Sequence, residues 1–176
     1  MHTLNTLAIL IFILCIVSVK PTKAQETNES PIQEIGVGVR NFSENFSLIY
    51  KRQIDEHKYR RYGGSLSLSA GEVAFLNISF SIATEKRKFL NDQLKFVRGL
   101  GYGLSFQTNF ETEPGLNRFI PFVNYQLGIQ YDIRDNFYVG ASTFPSFNLL
   151  LIPGENLPTA NLRVDLSAQL SAIFRF

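Results

Sequence analysis

Cysteine is nearly missing from this 176-residue chain, with Cys15 the one example, and it lies inside an apolar run close to the N-terminus. A chain whose only thiol sits in a removable segment builds no disulfide, no thiolate nucleophile and no Cys-based metal site. Histidine occurs as His2 and His57 alone. One histidine in the body of the chain, with acidic residues dispersed around it in sequence, gives no ligand set for a metal. Tryptophan is absent, and no stretch after residue 24 carries helical periodicity. No apolar run reaches the ~20 residues that a spanning helix requires. Nothing in the composition calls for a cofactor.

The longest apolar run, Ala8 to Val19, is followed by Lys20-Pro21-Thr22-Lys23-Ala24. This is the form of a signal-peptide core with small residues before a cut at Gln25. Leu14 precedes Cys15 where a lipoprotein box would need a small residue, so lipid anchoring is not expected. The expected organisation is a signal peptide over 1–24, a polar lead over 25–32 and one domain over 33–176. Cleavage removes Lys20 and Lys23 and no acidic residue, so the 17 basic and 15 acidic groups become 15 of each. A mature chain of zero formal charge lacks the concentrated cationic surface that nucleic-acid binding needs.

What the chain has in abundance is alternation. From Pro158 to Phe176, Ala160, Leu162, Val164, Leu166, Ala168, Leu170, Ala172, Phe174 and Phe176 share one face, while Asn161, Arg163, Asp165, Ser167, Gln169, Ser171 and Arg175 share the other. Period-two alternation is the signature of a strand with two different faces. Seven further segments repeat the pattern. The first sets Ile35, Val37 and Val39 against Glu34, Gly36, Gly38 and Arg40, and the fifth sets Phe96, Leu100, Tyr102, Leu104 and Phe106 against Gly99, Gly101, Gly103, Ser105 and Gln107. The glycines at 99, 101 and 103 are spaced by two within a strand and so do not form a phosphate loop, which must lead into a helix. They are expected to relieve crowding inside a narrow barrel, with Tyr138, Phe122 or Phe144 filling the space.

An even number of two-faced strands with an export signal predicts an all-β fold, an eight-stranded antiparallel up-and-down transmembrane barrel whose large apolar residues face lipid. Aromatic residues flank the apolar bands: Phe106, Phe119 and Phe147 at one interface, and Tyr50, Phe96, Tyr131, Phe137, Phe174 and Phe176 at the other. Both termini then lie on the periplasmic side. Turns at Asp55 to His57, Lys86 to Asp92 and Arg134 to Asn136 are expected there. Short external loops are expected at Ser43-Glu44, Gly71 to Val73, Glu111 to Asn117 and Ile152 to Pro158. The inward charges Glu34, Arg40, Lys51, Arg61, Glu85, Asp132, Arg134, Arg163, Asp165 and Arg175 are expected to pair across the lumen, since single buried charges are costly. An eight-stranded interior is barely wide enough for side chains, which predicts a plug rather than a pore.

The chain resembles the small eight-stranded outer-membrane barrels of Gram-negative bacteria, the architecture of the OmpX and OmpA membrane domains. The resemblance rests on the whole alternating pattern and on the C-terminal series Phe176, Phe174, Ala172, Leu170 and Ala168. It implies that this series is the signal read by the barrel-assembly machinery. It also implies a monomer in contact with outer-membrane lipid and lipopolysaccharide, with a structural or envelope-related role and no catalysis. The short loops and Arg98-Gly99-Leu100-Gly101-Tyr102-Gly103 are similar to small barrels of Bacteroidota. Short external loops argue against adhesion or receptor roles.

Three other readings compete. A narrow channel for small solutes would need an open lumen. A lipid A-modifying barrel enzyme would need a base beside its nucleophile, and His57 stands in an expected turn without a His-x-Ser spacing. The Asn-x-Ser sequences at Asn28, Asn41, Asn45 and Asn77 would suit a secreted glycoprotein such as a lipocalin-like ligand binder, but tryptophan, mature cysteines and a C-terminal helix are all lacking.

Overall fold

A computed structural model describes residues 31–41, 45–69, 75–109, 118–152 and 159–176. The expected signal peptide, most of the lead and nearly all of the four expected external loops lie outside the described residues.

The described residues form eight strands: β1 (Gln33–Arg40), β2 (Asn45–Asp55), β3 (Lys58–Ser69), β4 (Phe75–Phe89), β5 (Leu94–Asn109), β6 (Arg118–Arg134), β7 (Phe137–Ile152) and β8 (Thr159–Arg175). Each pairs antiparallel with the next, and β1 pairs with β8, so the sheet closes into a barrel with no open edge. Closure is finished by the last residue: Phe176 N donates to Gln33 O at 2.9 Å and Gln33 N donates to Phe176 O at 3.0 Å. This is the expected fold class, strand for strand.

The alternation sorts side chains as expected, with the apolar set outside. Leu162, Leu166 and Leu100 are 71%, 73% and 61% exposed, while Glu34 and Glu85 are wholly buried. A barrel that leaves its leucines on the surface and folds its carboxylates inside is inverted relative to a water-soluble protein. Aromatic residues meet across strands on the outer wall: Phe137 and Phe174 have ring centroids 4.7 Å apart, and Phe106 and Phe119 are 5.1 Å apart.

One turn differs from its expected bounds. Lys86 to Asp92 reads as a polar turn in sequence, but β4 continues to Phe89 and β5 starts at Leu94. Asn91 explains why the reversal is so tight. Its Oδ1 accepts from the backbone N–H of Gln93 and of Leu94, at 3.0 and 2.7 Å, an Asx-type turn that needs few residues. The extended strand turns Arg87 into a lumen residue.

Candidate functional site: the lumen

The lumen has two parts. The half nearer the chain termini is filled. Glu34 on β1 and Glu85 on β4 are joined through Arg87: its Nη1 and Nη2 donate to the two oxygens of Glu34 at 2.7 and 2.5 Å, and its Nε donates to Glu85 Oε1 at 2.8 Å. Lys51 Nζ donates to both oxygens of Glu85, at 3.0 and 2.7 Å. Tyr138 donates its hydroxyl proton to Glu34 at 2.6 Å, and Arg175 Nε donates to the same carboxylate at 3.2 Å. Asp132 extends the chain, accepting from Lys95 Nζ and Gln130 Nε2, each at 2.6 Å, and lying 3.8 Å from Arg175 Nη2.

Each buried carboxylate in this network therefore has at least two donors, the condition under which an ion pair out of water holds together. Aromatic and aliphatic side chains occupy what remains of the section. The guanidinium of Arg87 lies 3.6 Å from the ring centroid of Tyr59, a cation–π contact. Ile49, Tyr138 and Ile173 form a small apolar cluster beside it. A cavity of about 10 Å³ bordered by Ile49, Lys51 and Tyr138 has room for a single water.

The other half is open. A cavity of about 520 Å³ is walled by serine and asparagine side chains, among them Ser65, Ser79, Ser146 and Asn148. Arg40, Arg118, Arg163 and Asp165 are the charged residues among its described lining, so the described part of its wall carries a cationic excess. Phe144, 2% exposed, closes its floor. Arg61 lies 4.9 Å from the Phe144 ring and Arg40 5.5 Å. Arg61 Nη2 also donates to Gln169 Oε1 at 2.9 Å, and Gln169 in turn donates to Ser47.

Of the ten charges expected to pair in the lumen, Glu34, Lys51, Glu85, Asp132 and Arg175 come together in the network, and Arg61 is held by Gln169 and Phe144. Arg40 sits in the vestibule. Arg163 and Asp165 also lie at the vestibule, 2.7 Å apart and partly in solvent, and do not belong to the buried network. Arg134 is a correction: it is exposed at the end of β6. The pairing of β6 with β7 shifts between Asp132 and Arg134, and this irregularity breaks the alternation that would have turned Arg134 inward.

Arg87 and Lys95 were missed because both fell in or beside the expected turn. The signal was available in the spacing, since Arg87 is two residues from Glu85, and Lys95 is four from Gly99. Ile49, Val97 and Ile173 were missed for another reason. They are apolar at inward positions, against the rule that bulk apolar residues face out. The glycines behave as expected of a crowded interior: a Cβ on Gly99 would come within 2.8 Å of Thr84 O, and one on Gly101 within 2.7 Å of Asn124 Oδ1. Phe122 fills the space over Gly103, whereas Tyr138 and Phe144 serve the network and the floor.

His57 is in the two-residue turn between β2 and β3, 3.7 Å from Glu56 and 5.8 Å in ring centroid from Phe89. No group of three or more His, Cys, Asp or Glu with metal-binding geometry occurs among the described residues. Asn77 turns inward, its Oδ1 accepting from Ser105 Oγ at 2.5 Å.

No protein-family model matches the chain, and no curated protein sequence does. Solved structures do. The N-terminal β-barrel domain of Pseudomonas aeruginosa OprF superimposes with a TM-score of 0.65 at 14% identity, over 84% of this chain and 98% of that one. Neisserial surface protein A gives 0.51 at 14% identity, over 82% and 92%. Ail, the attachment invasion locus protein of Yersinia pestis, gives 0.50 at 13% identity, over 83% and 97%. At such identities the likeness is one of fold, an eight-stranded β-barrel.

Proposed function

We propose that this chain, which has the fold of those barrels, is an integral outer-membrane protein with a structural or envelope-related role, closed to solutes and without catalysis. The observation that carries this reading is the inversion of the barrel, with leucine and phenylalanine on the wall and ion pairs in the lumen. An apolar wall of this kind is stable only against hydrocarbon. A lipocalin-like binder would require the reverse, an apolar interior.

The termini and the short turns Glu56-His57, Leu90 to Gln93 and Asp135-Asn136 then face the periplasm, in keeping with short periplasmic turns on such barrels. The protein works as a monomer among outer-membrane phospholipid and lipopolysaccharide. Its C-terminal series, with Phe176 and Phe174 on the outer wall, is offered to the barrel-assembly machinery during biogenesis. Phe144 and the Glu34–Arg87–Glu85 network support closure rather than conduction. The setting of His57, beside Glu56 and Phe89 in an exposed turn, supports the absence of catalysis.

Heat modifiability tests the first part. Protein from isolated outer membranes should migrate differently on a gel before and after boiling, and recovery in a soluble fraction without a shift would sink the reading. In planar bilayers the folded protein should add no steady conductance; regular single-channel steps would favour a narrow channel instead.

A further inference from the structure

Six basic side chains stand on the outer wall near the short turns: Arg52, Lys58, Arg60, Lys86, Lys88 and Arg98. Alternation puts them there. Arg52 follows Tyr50 by two residues, Arg60 precedes Tyr62 by two, and Arg98 lies between Phe96 and Leu100 on the same face. Cross-strand register then brings them side by side. Arg52 is opposite Arg60, Lys58 is opposite Lys86, and Lys86 is opposite Arg98. The result is one continuous cationic patch across β2, β3, β4 and β5.

Like charges directly opposite each other in an antiparallel pair are destabilising, and this face has three such pairs, two of them sharing Lys86. Among the described residues none of the six cations is neutralised by an ion pair. Asp55, at the end of β2, is the cross-strand partner of Lys58 but forms no ion pair with it, while Glu56 and Asp92 lie in turns and Glu56 already faces His57. The opposite wall at this level differs in having few cations. It carries Tyr131, Ile133, Phe137, Phe174 and Ile35, and its cation Arg134 is at a strand end beside Asp135. A belt with aromatic residues on both sides but clustered cations on one is not required by the barrel itself.

We propose that this patch is a binding site for anionic phospholipid of the periplasmic leaflet. Phosphodiester headgroups would be held by the paired forks of Arg52 and Arg60 and by Lys86 with Arg98. The inference rests on the outer-membrane reading above, which sets the short turns at the level of that leaflet's headgroups. Arginine matches phosphate geometry with two parallel donors, and lysine adds point charge. The long aliphatic stems of both lie along the apolar wall while the charged ends reach the headgroup layer. Bound anions relieve the repulsion that the register imposes, and they give the barrel a fixed lipid on one flank.

The test uses the folded full-length barrel in phosphatidylcholine vesicles doped with spin-labelled phosphatidylglycerol or spin-labelled phosphatidylcholine, reading the motionally restricted fraction of each. The expected result is a preference for phosphatidylglycerol on the order of fivefold at low salt, weakening as salt rises. It should be lost in the R52Q/R60Q/K86Q/R98Q variant and kept in R163Q, whose charge lies in the vestibule. Should the quadruple variant fail to fold, K86Q/R98Q should show a reduced preference. A wild-type barrel that inserts and is heat-modifiable but restricts both lipids equally overturns the lipid site alone. Retention of the preference in the folded variants also overturns it. A protein that does not insert overturns the membrane reading, and the lipid site with it.

Discussion

Arg87 and Glu34 meet end on in the lumen, Nη1 to Oε1 at 2.7 Å and Nη2 to Oε2 at 2.5 Å, and so tie β4 to β1 across the barrel rather than along its wall. The hydrogen-bond ladder already joins each strand to its neighbours. This pair adds a brace between strands that the ladder does not connect.

Removing the brace should be costly. Arg87→Ala leaves Glu34 buried with Tyr138 and Arg175 as its remaining donors, and deprives Glu85 of one of its cations. Breaking a buried pair by deleting one partner costs about 3–5 kcal/mol. The expected outcome is a lower midpoint in urea unfolding of the detergent-solubilised barrel, with Arg87→Lys recovering only part of the loss, because lysine lacks the fork that engages both oxygens. Equal midpoints for wild type and Arg87→Ala would refute the brace.

Glycine positions separate by what a methyl group would strike. At Gly36 an added Cβ collides with the backbone of Ala172 and Ile173, which cannot move without disturbing the β1–β8 seam. At Gly63 it meets only the rotatable hydroxyl of Ser81, at 2.8 Å. Gly36→Ala should therefore destabilise the barrel by roughly 1–3 kcal/mol, and Gly63→Ala should change it little. Unfolding of the two variants side by side decides the point.

Thiol labelling can map the closure of the lumen, because the chain from residue 25 onward has no cysteine of its own. Ser146 lines the vestibule, and Ser171 borders the small cavity beneath Phe144. In the folded barrel, expressed without residues 1–24, a charged maleimide should modify Ser146→Cys quickly and Ser171→Cys slowly. Adding Phe144→Ala should speed the second reaction. Equal rates at the two positions in the parent would mean that the floor is open.

Deleting Phe176 should lower the yield of heat-modifiable protein in the outer membrane far more than His57→Ala does. The residue contributes both backbone bonds of the last rung to Gln33 and an exposed ring at the end of the outer wall. Wild-type yield from both variants would contradict the assembly-signal reading.

The wall was legible in sequence because strand parity is a local property. Once Leu162, Val164 and Leu166 alternate with Arg163 and Asp165, no distant contact is needed to know that they face opposite ways. Eight such segments, closed without an edge, give the architecture. Sequence failed where parity met composition: Lys86-Arg87-Lys88 reads as a polar turn, yet Arg87 continues the inward series begun at Glu85. It failed again at Arg134, where an irregularity in pairing defeats the alternation. Ile49, Val97 and Ile173 show that hydrophobicity does not by itself assign a face inside a plug.

The sequence by itself determined the number of strands and, along most of each, how its residues divide between two faces, because period two is written in consecutive residues; which face turns outward is not contained in the alternation. Tertiary structure alone decided which charges meet, since Glu34, Glu85 and Arg87 are joined by closure and register across separate strands. It also decided that Phe144 lies at the inner end of the vestibule, and that Arg52, Arg60, Lys86 and Arg98 form one patch. Both depend on the alignment of neighbouring strands, which no single strand encodes.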